Sequence, residues 1–263
     1  MRITSVSSQK AKFVRALGRK RTRYQEGYFV VEGRRLVEDG LRAGARLRLA
    51  FCTDDFVESP DGAETVQRLR DSSAELFFVA LTVMRALSDT VTPQGVLAVA
   101  EMPQWPRPQM PTRIALILDR WRDPGNLGAA LRSAEAAGVD WVALTPESVD
   151  PFNPKVVRGG MGAHFRLPIF ADCDLQEMAS LLEGVPVYLA DAQAARPYDE
   201  VDWTQPSALL VGGEVHGPGE AARQLGAVGV AIPMAGAPDS LNAAIAASVI
   251  LMEAARQRRQ RGA

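Results

Sequence analysis

Three short stretches hold residue types that could do chemistry, and all lie after residue 118. The first, Asp119-Arg-Trp-Arg-Asp-Pro-Gly-Asn-Leu-Gly-Ala-Ala-Leu-Arg, carries Asn126 and Arg132 on either side of Gly128. The second, Gly212-Gly-Glu-Val-His-Gly-Pro-Gly, packs four glycines into eight residues. Glycine at that density implies positive φ and close approach of a ligand or another chain, and Glu214 among them is a carboxylate in a backbone-lined pocket. In the third, Asp239, Ser240 and Asn242 sit where a helix begins and backbone N–H groups lack partners. Taken alone, that trio reads as a capping cluster and Arg132 as a solvated helix arginine. Neither the GxGxxG spacing of a dinucleotide fold nor the Gly-Lys-Ser/Thr of a P-loop is present. His164 and His216 are the only histidines; no partners for acid–base or metal work accompany them, and they read as structural. Cys52 and Cys173 have no metal-ligand spacing.

Each stretch follows an apolar run that reads as a strand. Such runs recur at Ile114 to Leu118, Trp141 to Leu144, Val187 to Ala190, Ala208 to Val211 and Val228 to Ile232, with helical patterns between them. This predicts a mainly parallel sheet covered on both faces, in which ligands bind beyond the carboxyl ends of the strands. Asn126 is the expected N-cap of a helix ending at Gly138, with Leu127, Leu131 and Ala134 as its buried stripe and Arg132 off that stripe. The last helix is expected to open at Asp239 or Ser240 and to bury Leu241, Ile245, Val249 and Met252. Its alanines, Ala243, Ala244, Ala246 and Ala247, leave room for another backbone.

The first hundred residues predict a smaller α/β domain. Helices are expected at Gln9 to Leu17, Arg34 to Ala43, Thr65 to Arg70 and Thr82 to Leu87. Strands are expected at Tyr28 to Val31, Leu47 to Phe51, Leu76 to Val79 and Gly95 to Ala100. Pro103, Pro106, Pro108 and Pro111 then favour an extended linker. The expected division is 1–101, a linker at 102–112, and a second domain at 113–263.

Composition sets the outer bounds. Apolar residues make up 47% and charged residues 23%, with net charge −1, so the whole molecule is not an electrostatic nucleic-acid binder. Met1 to Tyr24 nevertheless holds eight basic residues and no acidic one. An acid-free, Arg-rich start also resembles a transit peptide, but Tyr28-Phe-Val-Val follows at once as a buried strand, so the segment reads as part of the folded domain. The cysteine usage suits a reduced, cytosolic setting. No apolar run reaches the ~18 residues of a membrane span.

Together, Asn126-x-Gly128-x-x-x-Arg132, Gly212-x-Glu214-x-x-Gly217 and Ile232-Pro-Met-x-Gly236…Ser240-Leu-Asn242 resemble the three motifs of the SpoU (TrmH-like) family of RNA ribose 2′-O-methyltransferases. Arg19-Lys-Arg…Gly27-Tyr-Phe-Val-Val-Glu32-Gly33 resembles the substrate-binding domain of its ribosomal-RNA members. Arg158-Gly-Gly-Met-Gly162-Ala163 resembles a further family segment, with Gly160 where the family usually has Ser. The resemblance implies an α/β fold with a trefoil-knotted, S-adenosylmethionine-binding domain, built as a homodimer with the active site near the interface. It places the cofactor on Gly212, Gly213, Glu214, Ile232, Met234, Ser240, Leu241 and Asn242, with no metal. It makes Arg132 the essential residue, proposed in the family as the base. An arginine with pKa above ~12 is a poor base, so Arg132 reads better as a clamp on the adjacent phosphate, oriented by Asn126, Glu214, Ser240 and Asn242. Arg19, Lys20, Arg21, Arg23 and Arg158 are the expected RNA contacts. The implied partner is large-subunit ribosomal RNA in the cytoplasm, with no membrane association. A transfer-RNA methyltransferase is the first alternative, disfavoured by the N-terminal domain. A non-catalytic ribosome-assembly factor is the second, disfavoured by the intact set of Arg132, Glu214 and Asn242.

Overall fold

The structure is a computed structural model that describes residues 1–213, 225–236 and 240–262. The chain divides into two compact units: 1–104 with 152–165, and 105–151 with 166–263.

The first unit is built on a five-stranded sheet of β1 (Arg2–Ile3), β2 (Tyr28–Glu32), β3 (Leu47–Cys52), β4 (Glu75–Val79) and β5 (Val96–Glu101), in the order β1-β4-β3-β5-β2. The outer pairs at the β1 edge are parallel, and β5 runs antiparallel to both β3 and β2. Alternation along each strand feeds two cores. Val30, Leu49, Phe51, Leu97 and Val99 face α1 (Gln9–Ala16) and α6 (Leu81–Leu87). Phe29, Val31, Ala50, Cys52 and Ala98 face α3 (Arg34–Arg42) and α5 (Pro60–Asp71), and on this side Phe152, Val157 and Phe165 complete the packing. Val157 lies on α8 (Pro154–Gly160), capped by Asn153, whose side chain accepts from Lys155 N–H at 2.9 Å. Two short helices, α2 (Lys20–Glu26) and α4 (Asp54–Glu58), complete this unit.

The second unit carries a wholly parallel sheet of six strands, β6 (Ile114–Asp119), β7 (Trp141–Leu144), β8 (Ile169–Phe170), β9 (Val187–Ala190), β10 (Ser207–Gly212) and β11 (Val228–Val230), in the order β11-β9-β10-β6-β7-β8. The strands are apolar because both faces are covered: every residue of β6 and β7 is buried. The register pairs Ser207 with Ile114 and Gly212 with Asp119, so β6 and β10 end level with each other. Chain order reverses at this central pair, the usual place for a ligand crevice in parallel sheets. α7 (Pro124–Ala137) follows β6, and the C-terminal helix (Ala243–Arg261) packs along it. Ser133 and Ser248 hydroxyls meet at 2.7 Å across that contact. A further helix, α9 (Leu175–Leu181), precedes β9.

Two details of this unit depart from the sequence reading. The cap of α7 is Asp123, whose side chain accepts from Asn126 N–H at 2.7 Å, with Pro124 as the first helical residue. Proline suits that position because it has no N–H to satisfy. The C-terminal helix is capped by Asn242, not by Asp239 or Ser240, and Asp239 lies outside the described residues. Its buried stripe is Ala244, Ala247, Ile250, Leu251 and Ala254, while Ile245 is 52% and Met252 40% exposed. Alanines share the inner stripe with Ile250 and Leu251 where the helix packs on α7; of the larger side chains expected in the core, Ile245 and Met252 are turned outward, and Leu241 and Val249 are partly buried. At its far end, Arg258 is only 7% exposed. Its guanidinium donates to the carbonyls of Trp203 (2.7 Å), Arg113 (2.6 Å) and Gln205 (3.2 Å), latching the helix to two chain segments.

Candidate cofactor and RNA site

Short bonds knit the carboxyl end of the second sheet together. Thr145 hydroxyl, just beyond β7, donates to Asp119 Oδ1 at 2.8 Å and accepts from Arg120 N–H at 2.9 Å. Trp121 is 2% exposed and its indole N–H donates to Val211 carbonyl on β10 at 2.9 Å. Gly213 N–H donates to Asp119 carbonyl at 2.8 Å. A Cβ on Gly213 would sit 2.5 Å from Arg120 carbonyl oxygen, so the crossing of these two loops admits only glycine there.

Beyond the ends of β9, β10 and β11 opens a cavity of about 490 Å³. Gly212, Gly213, Ile232, Met234, Ser240, Leu241 and Asn242 all line it. Glu214, the remaining residue expected there, lies outside the described residues, as do His216 and Gly217 of the same loop. The volume is in the range that holds a compact organic ligand. Its walls are backbone, small and aliphatic residues with few polar groups, which suits a nucleoside carrying an aliphatic chain. Asp191, at the carboxyl end of β9, also lines the cavity. Sequence reasoning passed over it, although an acidic residue ending a parallel strand is the usual partner of ribose hydroxyls. Its backbone N–H donates to Val230 carbonyl at 3.0 Å, and its Oδ1 accepts from Gln193 N–H at 2.9 Å.

Asn242 joins the cavity to α7. Its Oδ1 accepts from the N–H groups of Ala244 (2.9 Å) and Ile245 (3.3 Å), so its Nδ2 is the outward end, donating to Asn126 Oδ1 at 3.2 Å. The two cap acceptors fix which way this amide points. Asp123 serves as the cap of α7, which leaves the Asn126 side chain to make this link. Arg132 lies six residues on, about 9 Å along the helix axis, exposed and outside the residues that line the cavity.

Arg19, Lys20 and Arg21 are exposed at the start of α2. Arg23 is a correction: it is 2% exposed, and its Nη1 donates to Leu17 carbonyl at 2.7 Å, so it closes the end of α1 and presents no charge to solvent. Arg158 is likewise engaged, with Nη2 2.9 Å from Asp89 Oδ2 and Nη1 3.7 Å from the buried carboxylate of Glu32. His164 is 1% exposed, among the rings of Phe29 and Phe152, as a structural histidine would be. Gly160 ends α8 as a buried residue.

Comparison with known proteins bears on the same residues. The profile of the SpoU rRNA Methylase family matches residues 113–252, which span every site element of the second unit. This chain belongs to that family. The profile of the MRM3-like substrate binding domain matches residues 8–98. Among its relatives, the Bacillus subtilis 23S rRNA (guanosine(2553)-2′-O)-methyltransferase RlmP is 32% identical, over 95% of this chain and 97% of its own. The human mitochondrial rRNA methyltransferase 3 is 34% identical, over 91% of this chain and 70% of its own. The crystal structure of the SpoU methyltransferase AviRb from Streptomyces viridochromogenes in complex with AdoMet superposes with a TM-score of 0.85, at 32% identity, covering 96% of this chain and 98% of that one. Within this SpoU fold, no helix of the described residues is long and apolar enough to cross a membrane.

Proposed function

We propose that this protein transfers a methyl group from S-adenosylmethionine to a ribose 2′-hydroxyl of large-subunit ribosomal RNA. The observation that carries the reading is the cavity at the ends of β9, β10 and β11, lined by every described residue that the family motifs assign to the cofactor. Its backbone-rich wall suits the adenine and methionyl parts, and Asp191 the ribose hydroxyls. The bound cofactor supplies an electrophilic methyl carried on a sulfonium. Positioning dominates such an in-line transfer, and the chain's own residues do that work. Asn242 caps the last helix and holds Asn126. Ser240 lines the cavity, and the family motifs give it and Glu214 the task of orienting Arg132 and the target ribose. Arg132 clamps the phosphate next to that ribose and stabilises charge developing on its oxygen, because a guanidinium cannot serve as base at neutral pH. No metal takes part.

The proposed active form is a cytoplasmic homodimer of trefoil-knotted domains. Exposed Ile245 and Met252 on the last helix supply an apolar face to bury. Arg132 is exposed and outside the lining of its own cavity, so a partner's cavity is where it acts. In this reading 1–101 grips RNA, 102–112 is the linker, and 113–263 performs the transfer. Arg19, Lys20 and Arg21 contact RNA phosphates; Arg23 does not.

Mapping 2′-O-methyl riboses in ribosomal RNA from cells with and without the gene tests the proposal. One position in large-subunit RNA should lose its methyl group and regain it on complementation. An unchanged ribosomal map with a lost site in transfer RNA would replace the substrate. Unchanged maps in both would favour the assembly-factor alternative.

A further inference from the structure

Arg120, between β6 and α7, holds a left-handed backbone conformation with φ 53°. Such a φ is uncommon outside glycine, asparagine and aspartate, and glycine meets it without steric cost. Nothing about the backbone therefore calls for an arginine here. Its main chain is fixed on both sides, by the N–H bond to Thr145 and by its carbonyl pressed on Gly213. The side chain is 29% exposed and lies beside a cleft of about 40 Å³ that Trp121, Asn126, Gly213 and Ala243 also line. Gly213 and Ala243 line the cofactor cavity as well, so the two spaces adjoin.

Among the described residues, the charge has no complete structural use. Arg120 Nε lies 3.5 Å from Asp119 Oδ2, beyond the ~2.7–3.2 Å of a good N–H···O bond. Asp119 already accepts from Thr145. The Nη groups of Arg120 make no hydrogen bond among the described residues. Among the described residues, the buried carboxylate of Asp119 approaches the guanidinium at Nε alone, and both Nη groups remain as donors. Paired N–H donors of this kind match a phosphate bidentately.

We infer that Arg120 is a substrate-binding residue for the methyl transfer, gripping an RNA backbone phosphate beside the target ribose. This rests on the ribosomal-RNA reading above and adds a second phosphate contact to that of Arg132.

The test uses the full chain, S-adenosylmethionine and unmethylated large-subunit ribosomal RNA. Arg120→Gly accommodates the positive φ and removes the charge, so melting temperature and cofactor affinity should stay at the parent values. KM for RNA should rise roughly 10-fold, the order expected for losing a charge-assisted hydrogen bond. The log–log salt dependence of RNA binding should flatten by about 0.7–0.9, one phosphate contact. Arg120→Lys, which keeps the stem and a point charge, should restore the salt slope and only part of the KM. A merely structural arginine would move the melting temperature and leave KM and slope alone, which overturns the inference. With parent and Arg120→Gly equally active on RNA, this assignment alone fails. A parent that transfers no methyl to ribosomal RNA overturns both it and the function it rests on.

Discussion

Asn242 should separate stability from catalysis, because one amide does two jobs with its two ends. Its oxygen caps the last helix and its nitrogen holds Asn126. Losing an N-cap to alanine costs about 1 kcal/mol, and a neutral hydrogen bond is worth ~0.5–1.5 kcal/mol net. Asn242→Ala forfeits both, about 2 kcal/mol. Serine is an equally good cap but too short to reach Asn126, so Asn242→Ser forfeits only the link, about 1 kcal/mol or less. At ~2–4 °C per kcal/mol for a domain of this size, alanine should lower the melting temperature by roughly 4–8 °C and serine by less than about 4 °C. Methyl transfer should fall by a similar factor in both, since each breaks the bond from Asn242 to Asn126. Calorimetric melting and single-turnover transfer to ribosomal RNA measure the two effects. Adding Asn126→Ala to Asn242→Ser should cost no further activity and should show a coupling of ~0.5–1.5 kcal/mol in a double-mutant cycle. Full activity in Asn242→Ser, or additive losses in the double variant, would refute the link as a catalytic positioning device.

Arg132→Ala should keep cofactor affinity by titration calorimetry and lower kcat by roughly 100-fold or more, the scale of removing one charge-stabilising donor. Arg132→Lys should do nearly as badly because a point charge cannot form the bidentate clamp; near-normal turnover in either would remove the residue from the reaction. Arg258→Met keeps the aliphatic stem but strips donors from the Trp203 and Gln205 carbonyls, while Arg113 carbonyl retains its bond from Ser207 N–H. The buried Trp203 acceptor left unpaired costs about 1–3 kcal/mol, whereas Gln205 is exposed and its carbonyl can turn to water. Relief of the arginine's own burial, which pushes its pKa down, offsets part, so a net loss of about 1–2 kcal/mol should appear in urea unfolding. Burial raises the thiol of Cys52 to about 12 and that of Cys173 to about 11. An unfolded thiol titrates near ~8.5, so the folded chain holds these protons longer and this stability is complete below that pH. It should drain away as pH climbs through the window toward 11–12, visible as a falling urea midpoint between pH 8 and 10, and Cys52→Ser with Cys173→Ser should flatten that fall.

Much of this was legible in the sequence, for physical reasons that also mark where legibility stops. Continuous apolar runs such as Trp141–Leu144 and Val187–Ala190 fall on strands with the expected bounds, because a strand covered on both faces leaves no other pattern. Ile169–Phe170, only two residues long, is too short for any period to register. α8 carried a local signal that went unused, Asn153-Pro154, a cap followed by proline at the first helical position. The last helix misled on orientation: periodicity gives the stripes of a helix but not which one meets the sheet, and alanines take the inner one where backbones lie close. The cap of α7 went to Asp123 because the proline after it fixes the first turn, a signal as local as the Asn126 pattern it displaced. Arg23 counted as basic in the sequence, yet burial is a tertiary fact that charge patterning cannot carry. Asp191 stood at the end of an expected strand without a motif to point at it.

The N-terminal unit is not one uninterrupted length of chain. Phe152, Val157 and Phe165 fill the core against Phe29 and Leu36, and they arrive only after the 47 residues that separate Gln104 from Phe152. During synthesis at about 5–20 residues per second, the sheet that ends with β5 therefore waits several seconds for its last layer. One apolar face of that sheet is meanwhile open, at the stage when a nascent chain is most prone to mispairing. A fragment cut at Gln104 would live permanently in that state, and supplying 152–165 as a separate peptide should rescue its solubility. The fold thus ties completion of the first unit's core to synthesis of part of the second unit. A ribosome stalled between residues 104 and 152 would release neither.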